Sequence, residues 1–573
     1  MVSPQGRYEI AGRWPVVGLA LLTWVLSLPL FEPMSWWPLG FVALAPWGLA
    51  VCAARRSGFT YLVSFLTGMA FFLFHFRWLY TTTAEGYVAA CIFQASYFLP
   101  ATWLIRHLYR RRGFNMTWVF PVAWVAIELL RSRGPLGFPW FLLGHSQIRL
   151  LTMIQIADLA GVYGISFVLA AFTGWLIDLK LRAIPRWFGR AVPLERAVWW
   201  RGGVVAALVL ATVVYGRVRL SFDGGGEGPR IAVVQGDYLL EAVRGPQGVT
   251  EAEKVENYFR LMSLAAREDP DMIVLPETPW AMLLNPEMQE QDLAAKLYHE
   301  EFDRRAKLHD AYITVGALSI EPQPRGSYPA EHRYNSAYTY APDGSQPQRY
   351  NKIHLVPFGE FVPFRYTKGM FWLYRFLNDG DFNPWGRGGV EYSLTAGTDF
   401  SGFTMRARSR GGRDYRFGVT ICYEDVIPHL FHRFVADRSG PKRVDFMLNI
   451  SNDGWFGRGT QQSQHLVNCV FRAVENRVPV ARAVNTGVSG FIESDGRWHD
   501  LVSDPNRRPH AGGLDYRVAC VRTDPRVSLY SRYGDVFAFV CGMAALAAVV
   551  DALAIRFRRR RTGRTVDVQR TSS

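Results

Sequence analysis

The feature that most constrains this chain is where its apolar residues lie. Long apolar runs crowd the first part of the sequence and return once near the C-terminus, while charged residues fill the stretch between. A helix needs about 20 apolar residues to cross the hydrocarbon core of a bilayer. Runs that approach this length lie at roughly 14–31, 34–53, 59–80, 87–108, 116–131, 159–179, 202–218 and 534–556. The fifth contains Pro121 and ends on Glu128 and Arg131. The overall average, 49% hydrophobic and 20% charged, hides this segregation. It predicts a membrane region of about seven helices over 1–221, an extramembrane domain over 229–525, a last span over 534–556 and a basic tail over 557–573.

Charge then orients the spans. Arg7 and Arg13 precede the first run, Arg55 and Arg56 follow the second, and Arg106 to Arg112 follow the fourth. Lys180, Arg182, Arg186 and Arg190 follow the sixth, and Arg556 to Arg561 follow the last. Basic clusters favour the cytoplasmic side, so this pattern places both termini there and the large domain outside. Arg131 and Arg133 fall on the opposite side and stand as exceptions. Trp36, Trp37 and Trp140 are suited to an interfacial aromatic belt, though tryptophan also occurs as ordinary packing. The formal net charge is +15, but its arginines flank apolar runs, which argues for membrane topology and against nucleic-acid binding. The first run lacks a cleavable-signal pattern and reads as a retained span. Six cysteines form no CxxC pair and no metal-ligand spacing, and no HExxH occurs; neither metal nor cofactor is expected.

Ser221 to Pro229 is rich in glycine and reads as a flexible linker; with no preceding strand it is a poor phosphate-binding loop. Beyond it, apolar runs of strand length alternate with amphipathic stretches of helical length. Strands are expected at 230–235, 272–276, 311–319, 336–341, 417–422, 445–450 and 480–485, and helices at 251–268, 289–309 and 463–477. That is a layered α/β domain large enough for its own core.

Within it, Phe417-Gly418-Val419-Thr420-Ile421-Cys422-Tyr423-Glu424-Asp425 reads as a buried strand ending on a thiol. Met272 to Thr278 is a second strand, closing on Glu277, and Tyr350 to Glu360 carries Lys352 before a Pro-Phe-Gly-Glu turn. A lone cysteine is usually a small core residue. A thiol with a carboxylate and a cation, all at strand ends of one domain, has a chemical use. Glu277 can take the thiol proton, burial raising its pKa toward that task, and Lys352 can stabilise an oxyanion, with Cys422 as nucleophile.

Leu275-Pro276-Glu277, Tyr350-Asn351-Lys352 and Ile421-Cys422-Tyr423-Glu424 resemble the Glu–Lys–Cys set of the nitrilase (carbon–nitrogen hydrolase) superfamily. Val234-Gln235-Gly236-Asp237, Val356 to Pro363, Asn449 to Gly457, Gln464-His465 and Asn485 to Gly490 resemble, more narrowly, the apolipoprotein N-acyltransferase family. The resemblance implies an αββα sandwich on a multi-span membrane body, in the bacterial inner membrane with the catalytic domain periplasmic. It implies transfer of an acyl chain from a phospholipid donor to the N-terminal diacylglyceryl-cysteine of an apolipoprotein, by a protein expected to be a monomer. It also assigns supporting positions to Glu360, Tyr423, Glu424 and Asn335. One departure concerns the strand end at Gly236, which continues as Asp237-Tyr238-Leu239-Leu240-Glu241, without the family's nearby loop tryptophan; the next is Trp280. The alternative is a membrane-tethered nitrilase-type amidase that uses water as acceptor. Two chain-bearing substrates suit a site at a bilayer surface, whereas a small-amide hydrolase has no need of eight spans.

Overall fold

A computed structural model describes residues 9–10, 12–134, 136–187, 196–222, 225–240, 248–324, 331–364, 369–370, 372–375, 393–502 and 513–570. Asp223 and Gly224 of the expected linker, Arg190, Glu241 and the last three residues of the basic tail lie outside them, as do the side chains of Arg182 and Arg186.

Every apolar run forms helix. The first part contains α1 (Arg13–Ser27), α2 (Ala45–Ala53), α3 (Ser57–His75), α4 (Ala84–Ser96), α5 (Phe98–Arg106), α6 (Met116–Arg131), α7 (Ala157–Trp187) and α8 (Arg196–Leu220). Five stretches are long and apolar enough to cross a membrane: 57–75, 84–111, 157–181, 196–220 and 536–558. Three expected spans are shorter as helices. The first stops before Pro29, the second begins with a 3₁₀ turn (Trp37–Phe41), and α6 has 16 residues with Pro121 inside. Near the start of α7 the helix breaks at Gly161, whose φ is +65°. A Cβ there would lie 2.5 Å from the Tyr530 ring, so only glycine fits the bend.

The outer domain is two six-stranded sheets face to face. One has the order β12-β1-β2-β3-β4-β5, from Asp515–Thr523, Gly226–Gln235, Met272–Val274, Tyr312–Pro322, Glu331–Tyr340 and Gln348–Asn351. The other has the order β11-β10-β9-β8-β7-β6, from Trp498–His499, Gly490–Ile492, Val480–Val484, Phe446–Ser451, Arg413–Ile421 and Phe403–Ala407. Helices α9 (Glu251–Ala266) and α10 (Leu293–His309) cover the first sheet; α11 (Pro428–Val435) and α12 (Thr460–Asn476) cover the second. Strand alternation explains the layering. On β1, Ile231 and Val233 face the second sheet's residues, while Ala232 and Val234 join Tyr258 and Phe302 under the helices. The linker is shorter than expected, because Gly226 and Glu227 already pair with Thr523 and Arg522 of β12.

α12 is where the two parts of the molecule join. Apart from Thr460 and Ser463 its residues are all buried, one face on the sheet and the other on α7. A helix covered on both sides needs partners for its polar groups, and the membrane part supplies them. Trp78 Nε1 donates to Gln464 Oε1 at 2.9 Å, and Val162 N donates to Glu475 Oε1 at 2.9 Å. Arg477, in left-handed conformation just after α12, gives Nε to Asp158 Oδ2 at 2.9 Å and Nη1 to Gln155 Oε1 at 2.7 Å. Asp158 also pairs with Arg219 at 2.6 Å.

The charge-rule exceptions have structural partners. Arg131 is buried and donates to Gln94 Oε1 and Trp140 O, and Arg133 pairs with Asp535. Trp36 and Trp37 are exposed, but Trp140 is buried at the seam between Phe138, Trp78 and His465. Its placement is interior packing rather than an interfacial belt.

Among the described residues Asp158 is the one carboxylate paired with Arg477 and Arg219, so Asp158→Ala leaves buried guanidinium charge without a counter-charge. The expected cost is about 3–5 kcal/mol. A lowered thermal unfolding midpoint of the full-length protein in detergent is the check; an unchanged midpoint contradicts this account of the seam.

Candidate active site

β2, β5 and β7 deliver three chemically distinct groups to one end of the sandwich. β2 ends at Val274, and the chain turns through Leu275 and Pro276 to place Glu277. The turn packs directly on Gly316 of β3, where a Cβ would lie 2.6 Å from the Glu277 Cα. Lys352 follows β5, its backbone N–H donating to Asn335 O at 2.8 Å. Cys422 is the first residue after β7 and opens a 3₁₀ turn with φ at +51°. A non-glycine residue held left-handed stores about 1–3 kcal/mol, and here it turns the thiol out of the strand toward Glu277.

Of the seven residues picked out from the sequence, the structure clusters Glu277, Lys352, Cys422, Glu360 and Asn335, while Glu424 and Tyr423 flank the cysteine turn and contact other groups. Lys352 Nζ lies 2.8 Å from Glu360 Oε1 and 3.5 Å from Glu277 Oε1. Asn335 Nδ2 donates to both carboxylates, at 2.6 Å to Glu277 and 3.0 Å to Glu360. Glu277 Oε2 accepts from Asn452 N at 2.9 Å, and the Cys422 thiol lies close enough for the Glu277 charge to act on it. Glu360 is itself fixed by Val356 N at 2.8 Å. Glu424 touches none of the reacting groups. It accepts from Ile421 N, Ile353 N, His354 N and Tyr350 OH at 2.7–3.0 Å, pinning the segment after β5 to the cysteine turn. Tyr423 points the other way, into the membrane part, where its hydroxyl donates to Gly137 O at 3.0 Å and its ring stacks on Phe138.

Burial sets the protonation states. It raises the Glu277 pKa above the ordinary carboxylate range; Lys352 opposes this, and Glu360 reinforces it. Burial alone would lower Lys352, but Glu360 and Glu277 outweigh it and hold the ammonium charged. Burial and the Glu277 charge push the Cys422 thiol well up, so it rests protonated. Glu424, despite its donors, is pushed up to about 7 by burial. The arrangement is a neutral thiol beside a carboxylate of raised pKa and a fixed cation. It can form a thiolate only as a bond forms at sulfur, and it can stabilise an oxyanion beside Lys352.

Sequence reading gave no role to Asp425, Asp453, His465 or Arg482, a buried cluster beneath the cysteine turn. Asp425, Asp453 and His465 stood in noted motifs, but nothing local shows that they meet. Trp280 is buried among Tyr258, Phe259, Tyr298 and Phe302, so it does not substitute for a loop tryptophan.

A carbon–nitrogen hydrolase family model matches residues 230–535, which makes the outer part a carbon–nitrogen hydrolase domain. A model of the apolipoprotein N-acyltransferase N-terminal domain matches residues 15–175. Over 562 residues the chain is 33% identical to the apolipoprotein N-acyltransferase of Geobacter metallireducens, covering 94% of this chain and 95% of that protein. The corresponding protein of Chlorobaculum tepidum is 26% identical over 542 residues, covering 92% and 94%. Similar solved structures are the C. elegans NitFhit protein (19% identity, TM-score 0.35, 52% of this chain and 61% of that one) and an amidase from Nesterenkonia sp. (13% identity, TM-score 0.35, 55% and 96%). The chain belongs to the apolipoprotein N-acyltransferase family. It is a bacterial membrane protein.

Only ionised Glu277 can take the thiol proton, so alkylation of Cys422 by iodoacetamide should slow on acidification, with a limb above the ordinary carboxylate range. Glu360 raises that pKa, so Glu360→Gln should move the limb to lower pH. A rate–pH profile read on the Cys422 peptide by mass spectrometry decides; an unmoved limb contradicts the coupling.

Proposed function

We propose that this chain transfers an acyl chain from a membrane phospholipid to the α-amino group of the N-terminal S-diacylglyceryl-cysteine of apolipoproteins, through a thioester on Cys422. The observation that carries the reading is the partly buried Cys422 thiol set against the Glu277 carboxylate and the Lys352 ammonium, in a domain sealed along α12 onto apolar helices. Glu277 takes the thiol proton as sulfur attacks the donor ester carbonyl, and Lys352 balances the oxyanion. Collapse expels the lysophospholipid alkoxide, which leaves with the proton from Glu277. The acceptor amine then attacks the thioester and gives its proton to Glu277. The second collapse releases the amide and the Cys422 thiolate, which recovers that proton. Glu360 and Asn335 hold Lys352 and Glu277; Tyr423 and Glu424 hold the cysteine turn.

The same proposal divides the chain into a membrane region over 1–221, a catalytic domain over 229–525, a last span over 534–556 and a basic tail over 557–573. It sets the catalytic domain in the periplasm and both termini in the cytoplasm, because the arginine clusters flank alternate spans. A cysteine at Gly225 should react with a membrane-impermeant thiol reagent added from the periplasmic side. Labelling only after inner-membrane disruption overturns the orientation.

Incubated with phospholipid and no acceptor, the protein should gain the mass of one fatty acyl group, labile to hydroxylamine and discharged by a diacylglyceryl-cysteine peptide. Cys422→Ser should fold and insert but form no such adduct at a useful rate. Lys352→Ala should form it about 10²–10³ more slowly. Transfer by wild-type protein with no adduct at any time would remove the covalent step.

A further inference from the structure

His465 is a buried charged group that touches none of the three reacting side chains. Its Nδ1 lies 2.8 Å from Asp453 Oδ1 and its Nε2 2.8 Å from Asp425 Oδ1. An ionised carboxylate only accepts, so both ring nitrogens donate, which requires the imidazolium. Each aspartate belongs to a segment that carries part of the site. Asp425 is on the 3₁₀ turn opened by Cys422, and its second oxygen accepts from Arg482 Nη1 at 2.6 Å. Asp453 follows Asn452, whose backbone N–H holds Glu277 Oε2 at 2.9 Å. A path of contacts therefore runs from the thiol's turn through Asp425, His465, Asp453 and Asn452 to the base.

We propose that His465 is a positioning residue for acyl transfer: by bridging Asp425 and Asp453 it locks the turn carrying Cys422 to the loop holding Glu277. The inference rests on the reading of Cys422 and Glu277 as nucleophile and base. α12 is well placed to hold such a clamp, since it is itself gripped between the second sheet and the membrane part. The groups facing the ring are Asp425 from the cysteine turn, Asp453 from the loop after β8 and Arg482 from β9. The Trp140 ring from the membrane part lies 5.5 Å away. Burial opposes the charge on His465, and the two carboxylates overcome it, raising the pKa to about 9.

The test compares full-length wild type, His465→Gln and Asp453→Asn in detergent, by two rates: thioester formation from phospholipid and alkylation of Cys422 by iodoacetamide. In His465→Gln, thioester formation should slow about 100-fold, the effect of a small misplacement at a reacting centre, with donor KM little changed and the fold intact. Alkylation of Cys422 should also slow. In wild type, thioester formation should fall as pH rises through about 9, the pKa of the clamp. In Asp453→Asn that limb should move to lower pH, because one of the carboxylates stabilising the imidazolium is gone; a merely structural histidine would not shift it. Wild-type rates for His465→Gln in both assays overturn the proposal, and so does an unmoved limb in Asp453→Asn. If wild type forms no thioester but alkylation still slows in His465→Gln, the clamp stands and the acyl-transfer reading falls.

Discussion

One buried ammonium holds two carboxylates in place, and the site depends on that imbalance. Lys352 faces Glu277 and Glu360 in a region where an isolated charge of either sign would be expelled or neutralised. With two negative groups and one positive, the local balance favours keeping the thiol proton. An ion-paired thiolate, as in some cysteine enzymes, would need the opposite imbalance. In the proposed mechanism the proton therefore moves only when substrate arrives, and Glu277 returns it at each collapse. Asn335 makes the crowding tolerable by donating to both carboxylates at once.

That cluster is useful only if three strand ends stay in register, and the membrane part contributes to this directly. Tyr423 reaches from the cysteine turn to Gly137 and Phe138, Trp140 lies against His465, and Trp78 donates to Gln464. The second helix layer, which a soluble αββα domain would present to water or to another subunit, is here consumed by the seam. Catalytic and membrane parts consequently share a core, one that includes residues from α6 and α7 as well as from β7, β8 and β9.

What could be read from the sequence follows from where each signal resides. Glu277 and Cys422 each end an apolar run, so one local pattern announces both the strand and the group it presents, whereas Lys352 was marked by the hydrophobic segment and Pro-Phe-Gly-Glu turn that follow it. The spans announce themselves by length, although Pro29 and Pro121 shorten the helices that form. β5, β6, β10 and β11 are short, and β6 alternates Thr404 and Arg406 outward on an edge, so composition alone did not separate them from loops. β12 was hidden because its partner, β1, lies nearly 300 residues earlier, as the pairing of Gly226 with Thr523 shows. The Asp425–His465–Asp453–Arg482 cluster draws on four separate segments, and although three of its members stand in motifs legible in the sequence, nothing local shows that they meet. Trp140 stayed ambiguous for a related reason: an aromatic near a span end has the same sequence signature at a lipid interface and at a buried seam.

A covalent acyl-enzyme between two lipid substrates must survive the interval in which neither is bound. Water is the competing acceptor, and Glu277 would activate it as readily as an amine if it could stand in the same place. The described surroundings offer it little room. Tyr423 is packed on Phe138, Lys352 is nearly inaccessible, and Glu277 has both oxygens engaged, by Asn335 and Lys352 on one side and by Asn452 on the other. An amine delivered on its own lipid anchor gains orientation that bulk water lacks, and effective concentration at the thioester rises accordingly. On this reading the membrane part contributes to the chemistry by selecting the acceptor.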